Sequence, residues 1–157
     1  MSDFGINVEF TPPNNSKLNG KVEHAFAIQW EKAKILIQNA NLQDRVKCNK
    51  KILMHAISTA IFLSEEAPQK HAGLSSNDLF YSVDRKLRVK PHYFIEWGRI
   101  GFVSNKCSHV SKMKPRGVPM IFIGYALDHP SSTYKFYNPT TNSIITSDSV
   151  KWSAFTR

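Results

Sequence analysis

Residues 120–125 read Met120-Ile121-Phe122-Ile123-Gly124-Tyr125, and this apolar run is the part of the sequence that most directly predicts the fold. It has the length and composition of a buried strand, since strands usually span about 4–8 residues and favour branched and aromatic side chains. Two further strands are predicted at Tyr134–Asn138 and Ile144–Thr146, because the turn-forming run Pro139-Thr140-Thr141-Asn142 separates them as in a β-hairpin. With a closing strand at Val150–Trp152, the last third of the chain is predicted to be a small β-structure.

The first half of the chain has a helical period instead. Apolar residues recur every three or four positions from Val22 to Ala40, and Asn41 is the expected end of that helix. A second helix is predicted over Lys47–Leu63, with an apolar stripe that would pack against the first. Upstream, Ile6–Phe10 alternates apolar and polar residues, which is typical of a short strand. The two stripes consist of Val22, Phe26, Trp30, Ala33, Ile37 and Ala40, and of Ile52, Ala56, Ala60 and Leu63.

The positive charge of the chain is concentrated in one window. The chain has 157 residues and a formal net charge of +9, and residues 85–116 contain nine Lys or Arg residues against the single acid Glu96. Nucleic acid is the natural partner of such a window, and a merely solubilising surface is the alternative. The aromatic residues within and beside the window would either stack on bases or fill a core, and a core position is favoured for most of them. They are Tyr93, Phe94, Trp97 and Phe102.

Other patterns argue against several classes of protein. Cys48 and Cys107 are far apart and form no metal-binding motif, and none of the six histidines has a partner at a diagnostic spacing. The longest apolar run, Ile52–Leu63, is too short to span a bilayer, so no membrane partner is expected. No secretory signal is recognised, and a nuclear or cytoplasmic protein with reduced thiols is expected.

A series of short motifs stands in order along the chain. The motifs are Gly5-Ile6, Leu18-Asn19-Gly20-Lys21-Val22-Glu23, Glu31-Lys32-Ala33-Lys34, Ala56-Ile57-Ser58-Thr59-Ala60-Ile61-Phe62-Leu63, Leu79-Phe80-Tyr81, Trp97-Gly98, Met120-Ile121-Phe122-Ile123-Gly124-Tyr125, Tyr134-Lys135-Phe136-Tyr137-Asn138-Pro139 and Ser147-Asp148-Ser149-Val150. In this order they resemble the integrase region of copia-type LTR retrotransposon Pol polyproteins. The resemblance spans the C-terminal part of the integrase catalytic domain and the SH3-like domain that follows it.

The resemblance implies an α+β fold. A partial RNase H-like integrase core, with one strand and two packed helices, would be followed by a small SH3-like β-barrel. Residues 1–66 would be the C-terminal part of the catalytic core, and residues 67–98 a connecting segment with a short helix capped by Ser75 or Ser76. Residues 99–157 would form the retroviral polymerase SH3-like barrel.

The resemblance also implies a catalytic position at Glu23. In the family, two aspartates and a glutamate hold two Mg²⁺ or Mn²⁺ ions, which promote an in-line displacement at phosphorus. Glu23 stands where that glutamate is expected, but only Asp3 and Glu9 precede it, and neither resembles the aspartate positions. One carboxylate does not hold two metal ions, so we expect this chain alone to bind no metal tightly and to be inactive as an integrase.

DNA is the partner that the resemblance implies, both as retroelement ends and as target DNA. Self-association is also expected, because the first helix would expose part of an apolar face suited to cover a sheet. Two alternatives are a non-catalytic nucleic-acid-binding module, which uses residues 85–116 and the barrel, and a structural or protein-interaction fragment. The residues expected to contact nucleic acid are Lys21, Arg85, Lys86, Arg88, Lys90, Lys112, Lys114 and Arg116.

Overall fold

The computed structural model describes residues 20–68, 73–80, 94–104, 117–130 and 132–154. Within these ranges the chain forms helices first and an antiparallel sheet second, which confirms the predicted α+β class. The predicted strand Ile6–Phe10 lies outside the described residues. The elements are α1 (Gly20–Asn39), α2 (Gln43–Cys48), α3 (Lys50–Glu66), α4 (Ser76–Phe80), β1 (Ile100–Ser104), β2 (Gly117–Tyr125), β3 (Tyr134–Asn138), β4 (Ser143–Ser147) and β5 (Val150–Trp152).

Two asparagines set the helix boundaries. Asn41 has a φ of 53°, a left-handed conformation that asparagine tolerates, so α1 ends where the sequence predicts. The single helix predicted over Lys47–Leu63 is wrong, because Asn49 is extended and separates α2 from α3. The Asn49 side chain accepts a hydrogen bond of 3.0 Å from the Lys51 amide and thereby caps α3.

The short helix α4 has the predicted cap. The hydroxyl of Ser75 accepts a hydrogen bond from the amide of Asp78, and the Asp78 carboxylate accepts one from the amide of Ser75, both at 3.0 Å. This reciprocal arrangement satisfies donors that the first turn of a helix otherwise leaves free. Ser75, rather than Ser76, is therefore the capping residue.

The apolar stripe of α1 is buried in its second half only. Ala33 and Ile37 are buried against α3, where Ile52 and Ala56 are fully buried in the same cluster. At the start of α1, in contrast, Val22 is 69% exposed and Phe26 is 59% exposed. No helix within the described ranges combines the length and apolarity that a membrane span requires.

The five strands form a sheet that bends into a barrel. Their order is β4-β3-β2-β1-β5, and each neighbouring pair is antiparallel. β4 and β5 are thus at opposite edges, yet only Asp148 and Ser149 separate them in the chain. A flat sheet would hold these edges about 19 Å apart, whereas the link from Ser147 to Val150 spans at most about 10 Å. The sheet must therefore curve round, and the amide of Ser104 in β1 donates to the Ser149 carbonyl at 3.1 Å.

The helices and the barrel share one apolar cluster. Phe122 of β2 points into the barrel, and its neighbour Ile123 points out toward the helices; both are fully buried. Ile123 and Tyr137 of β3 belong to the same cluster as Ile52 of α3. Two polar contacts support this junction. The Thr59 hydroxyl, which donates to the His55 carbonyl at 2.8 Å, also lies 3.2 Å from the Ile123 carbonyl oxygen, and the side-chain nitrogen of Asn49 donates to the side-chain oxygen of Asn142 at 3.0 Å. α3 therefore lies against the outer face of β2 and β3.

Candidate nucleic-acid interface

The outer face of β1 exposes an aromatic ring. Gly101 and Val103 are buried and point into the barrel, whereas Ile100, Phe102 and Ser104 are exposed. Phe102 is 45% exposed, although its strand has neighbours on both sides. The ring is therefore available to an external partner.

The residues opposite Phe102 complete a small surface. Phe102 pairs with Pro119 of β2 on one side and with Lys151 of β5 on the other. Directly opposed residues of antiparallel strands point to the same side of the sheet, so the three side chains share one face. Pro119 and Lys151 are exposed, and no carboxylate of the described residues lies within ion-pair distance of Lys151. We refer to Phe102, Pro119 and Lys151 as the β1 face. It offers a ring for stacking on a base and a cation for a phosphate.

Most of the predicted basic residues belong to two segments of the sequence on either side of β1. Ser104 of β1 pairs with Gly117 of β2, so the described residues that flank 105–116 lie side by side. In sequence, that connection carries Lys106, Lys112, Lys114 and Arg116, the last three of which are predicted contacts. These side chains lie outside the described residues, as do Arg85, Lys86, Arg88 and Lys90, and their roles remain predictions.

Arg99 is one basic residue of the charged window whose position is described. Its guanidinium donates to the carbonyl of Ser153 at 2.7 Å and lies over the ring of Trp152, 5.7 Å from the centroid. These contacts tie the segment before β1 to the end of the barrel. Arg99 thus contributes to the packing of the barrel as well as to the charge of the window.

The expectation that most aromatic residues near the window fill a core is only partly correct. Trp97 is 4% exposed, and its indole N–H donates to the Ile123 carbonyl at 2.9 Å. Phe94 and Phe102 are instead 38% and 45% exposed, so for them the expectation is wrong, and Tyr93 lies outside the described residues. In the sequence Ile100-Gly101-Phe102-Val103-Ser104, apolar residues lie on both faces of the strand, so the pattern does not reveal which face is directed to the core.

Glu23 and Lys21 lie together in the first turn of α1. Both side chains are exposed, and Glu23 stands at the dipole-favoured end of the helix. The described residues contain no group of three or more His, Cys, Asp or Glu side chains that could hold a metal ion. A two-metal site needs several carboxylates around both ions, so this donor set does not fit Mg²⁺ or Mn²⁺ chemistry. The catalytic role of Glu23 remains a prediction.

Residues 100–154 match the family model of the retroviral polymerase SH3-like domain. The match runs from the first residue of β1 to just beyond β5 and confirms the predicted SH3-like barrel. It supports placing this part of the chain in the C-terminal region of a retrotransposon or retroviral Pol polyprotein; α1 to α4 lie outside it. Neither the curated proteins nor the solved structures gave a match to the chain.

The SH3-like barrel has a groove at the end of β1. The groove has a volume of about 490 Å³ and includes Ser104, the last residue of β1. Most of its lining side chains are polar or ionisable, with Val103, Pro130 and Ile145 as the apolar part. Pockets of about 300–1,000 Å³ hold small organic groups, and the volume of this groove lies within that range. The lining consists of Val103, Ser104, His129, Pro130, Thr133, Ile145, Thr146, Ser147 and Asp148.

Proposed function

We propose that the chain is the C-terminal part of a copia-type retrotransposon integrase and that its own contribution is to bind DNA without catalysing strand transfer. The observation that carries this proposal is the β1 face, where Phe102 is exposed beside Lys151 within the SH3-like match. The ordered motifs upstream, which include the helix motif around Ala56–Leu63, support the integrase context. The basic connections supply the remaining charge for a polyanion.

The physical basis of binding would be mainly electrostatic. Lys151 and the basic residues of 105–116 would neutralise phosphates and release counterions, which makes affinity strongly dependent on salt. Such contacts hold the backbone but carry no sequence information. Phe102 would add stacking on an exposed base, which is worth about 1–3 kcal/mol and tolerates any base. We therefore propose DNA binding with little sequence preference and a higher affinity for single-stranded or frayed ends.

The catalytic part of the proposal concerns the intact parent protein. There, Glu23 would be the third carboxylate of the metal site, and aspartates outside this sequence would supply the other two. Lys21, two residues before Glu23 in the same first turn, would contact the DNA backbone near that site. The described residues contain no carboxylate cluster around Glu23, so the activity that we propose for this chain by itself is DNA binding.

Binding can be tested by fluorescence anisotropy with labelled single-stranded and duplex oligonucleotides over a range of salt concentrations. Phe102→Ala should weaken single-strand binding about 5- to 150-fold, which is the loss of one stacking contact of about 1–3 kcal/mol. Lys151→Gln should lower the salt slope by about 0.7 on a single strand. Phe26→Ala removes an aromatic ring that is 59% exposed on α1 and serves as the matched control.

The proposal fails if the parent chain binds neither oligonucleotide, or if its affinity does not change with salt. A parent chain that binds normally after Phe102→Ala and Lys151→Gln would show that the β1 face is not the binding surface. Absence of all binding would favour a structural or protein-interaction role for the fragment.

A further inference from the structure

A second basic surface lies where the helices meet the β3–β4 hairpin. α2 carries Arg45 and Lys47, and the first turn of α3 carries Lys50 and Lys51, all of them exposed. The Asn49 side chain between the two helices is hydrogen-bonded to Asn142, in the turn between β3 and β4, at 3.0 Å. This contact fixes the helix corner beside the hairpin.

Lys135 of β3 extends the same surface. Alternate residues of a strand face the same side, and Tyr137, two residues on, is buried in the cluster formed with Ile52 of α3. Lys135 therefore faces the α3 side of the sheet as well. Consistent with this placement, the pKa of His55, one turn after Lys51, is lowered by burial and, to a lesser degree, by the charge of Lys135. We call Arg45, Lys47, Lys50, Lys51 and Lys135 the corner surface.

The charges of the corner surface are poorly compensated within the described part of the protein. Lys47 pairs with Asp44 at 3.3 Å, but both side chains are more than three-quarters exposed, and such pairs contribute little. Among the described residues, no carboxylate lies within ion-pair distance of Arg45, Lys50, Lys51 or Lys135. α3 also has no acidic residue in its first turn, where the helix dipole disfavours cations by about 0.3–1 kcal/mol. An external polyanion would relieve this repulsion.

We infer that the corner surface is a second contact for the phosphate backbone of DNA, separate from the β1 face. The inference rests on the proposed function, because it assumes that DNA binds to this chain. Lysine ammonium groups on flexible stems are point charges that follow a regular array of phosphates without reading bases. The surface draws on α2, α3 and β3, whereas the β1 face draws on β1, β2 and β5. Two such surfaces on one packed unit would hold two stretches of backbone at a set separation.

The test uses two double variants of the full chain that remove the same charge. Lys51→Gln/Lys135→Gln removes two cations from the corner surface. Lys32→Gln/Lys34→Gln is the control and removes two cations from α1, where Lys32 donates to Ser64 and Lys34 pairs with Glu31 at 2.7 Å. Each phosphate contact contributes about 0.9 to the salt slope on duplex DNA. The corner variant should therefore lower the slope by about 1.8, so that its affinity loss between about 50 and 200 mM salt is roughly 12-fold smaller than that of the parent. The α1 control should keep the parent slope.

The outcomes separate this inference from the proposed function. If the parent chain binds duplex DNA with a steep salt slope and both double variants keep that slope, the corner surface makes no backbone contact and only this inference fails. If the parent does not bind DNA, the proposed function fails first. If the corner variant binds DNA like the parent but loses affinity for poly-glutamate, the partner is an acidic protein, and the assignment to DNA is overturned.

Discussion

Replacing Ile52 with alanine tests whether α3 and the barrel are one cooperative unit. Ile52 is fully buried on α3 and shares its cluster with Ile123 of β2 and Tyr137 of β3. The substitution removes two methyl groups and one methylene, worth about 0.8 kcal/mol each, or about 2.4 kcal/mol in transfer free energy. The cavity left among these neighbours raises the expected loss into the range of about 2–5 kcal/mol.

The assay combines urea unfolding with amide hydrogen exchange measured by mass spectrometry. Ile52→Ala should lower the free energy of unfolding by about 3 kcal/mol and accelerate exchange in β2 and β3 as well as in α3. Met54→Ala is the control, because Met54 lies on the same helix and is 63% exposed. It should change the free energy of unfolding by no more than about 0.5 kcal/mol.

A different pattern of exchange would refute the shared core. If Ile52→Ala accelerates exchange in α1 and α3 while the amides of β2 and β3 keep their protection, the helices unfold independently of the barrel. The corner surface would then not be held at a set position relative to the β1 face. A loss below about 1 kcal/mol would likewise show that Ile52 is not enclosed by the strands.

Two further perturbations test the same junction. Gly98 has a φ of 87°, and a Cβ there would overlap the Ala40 side chain, so Gly98→Ala should lower the free energy of unfolding by about 1–3 kcal/mol. Gly20→Ala is the control, because a Cβ at Gly20 would lie in open space at the start of α1. Equal stability of the two variants would contradict the contact between Gly98 and Ala40. The pKa of His55 is lowered from its ordinary value of 6.5 by burial and by Lys135, so the unfolded chain binds the proton more readily than the folded one. The free energy of unfolding should therefore fall as the pH decreases from about 6.5, the pKa of His55 in the unfolded chain, to the lower pKa of His55 in the folded protein. His55→Gln should flatten that dependence in urea titrations at several pH values, and an unchanged pH profile would argue against burial of the imidazole.

The local elements were accessible from the sequence because each depends on neighbours in the chain. Asn41 ends α1, Ser75 with Asp78 caps α4, and Asn142 takes the left-handed conformation at the β3–β4 turn. Each of these signals acts within a few residues, so residue type and spacing suffice to predict it. The break at Asn49 lies two residues inside the helix predicted over Lys47–Leu63, and the extended backbone of Asn49 is what separates α2 from α3.

The candidate sites were less accessible, because they combine residues that are far apart in the chain. The sequence analysis did not single out Arg45, Lys47, Lys50 and Lys51, and their proximity to Lys135 depends on how α3 packs on the sheet. Likewise, Lys151 and Phe102 become neighbours only because β5 pairs with β1. Neither pairing leaves a periodic signal.

Composition, periodicity and turn chemistry by themselves determined that this protein has an amphipathic helical half, a small β-structure after it and an excess of positive charge. The tertiary structure alone decided that the helices pack on the outer face of β2 and β3, that Phe102 points outward, and which cations share a surface. The physical reason is that secondary structure follows short-range backbone and side-chain preferences. The neighbours of a surface residue, by contrast, follow from strand order and from the burial of a shared core, to which distant parts of the chain contribute together.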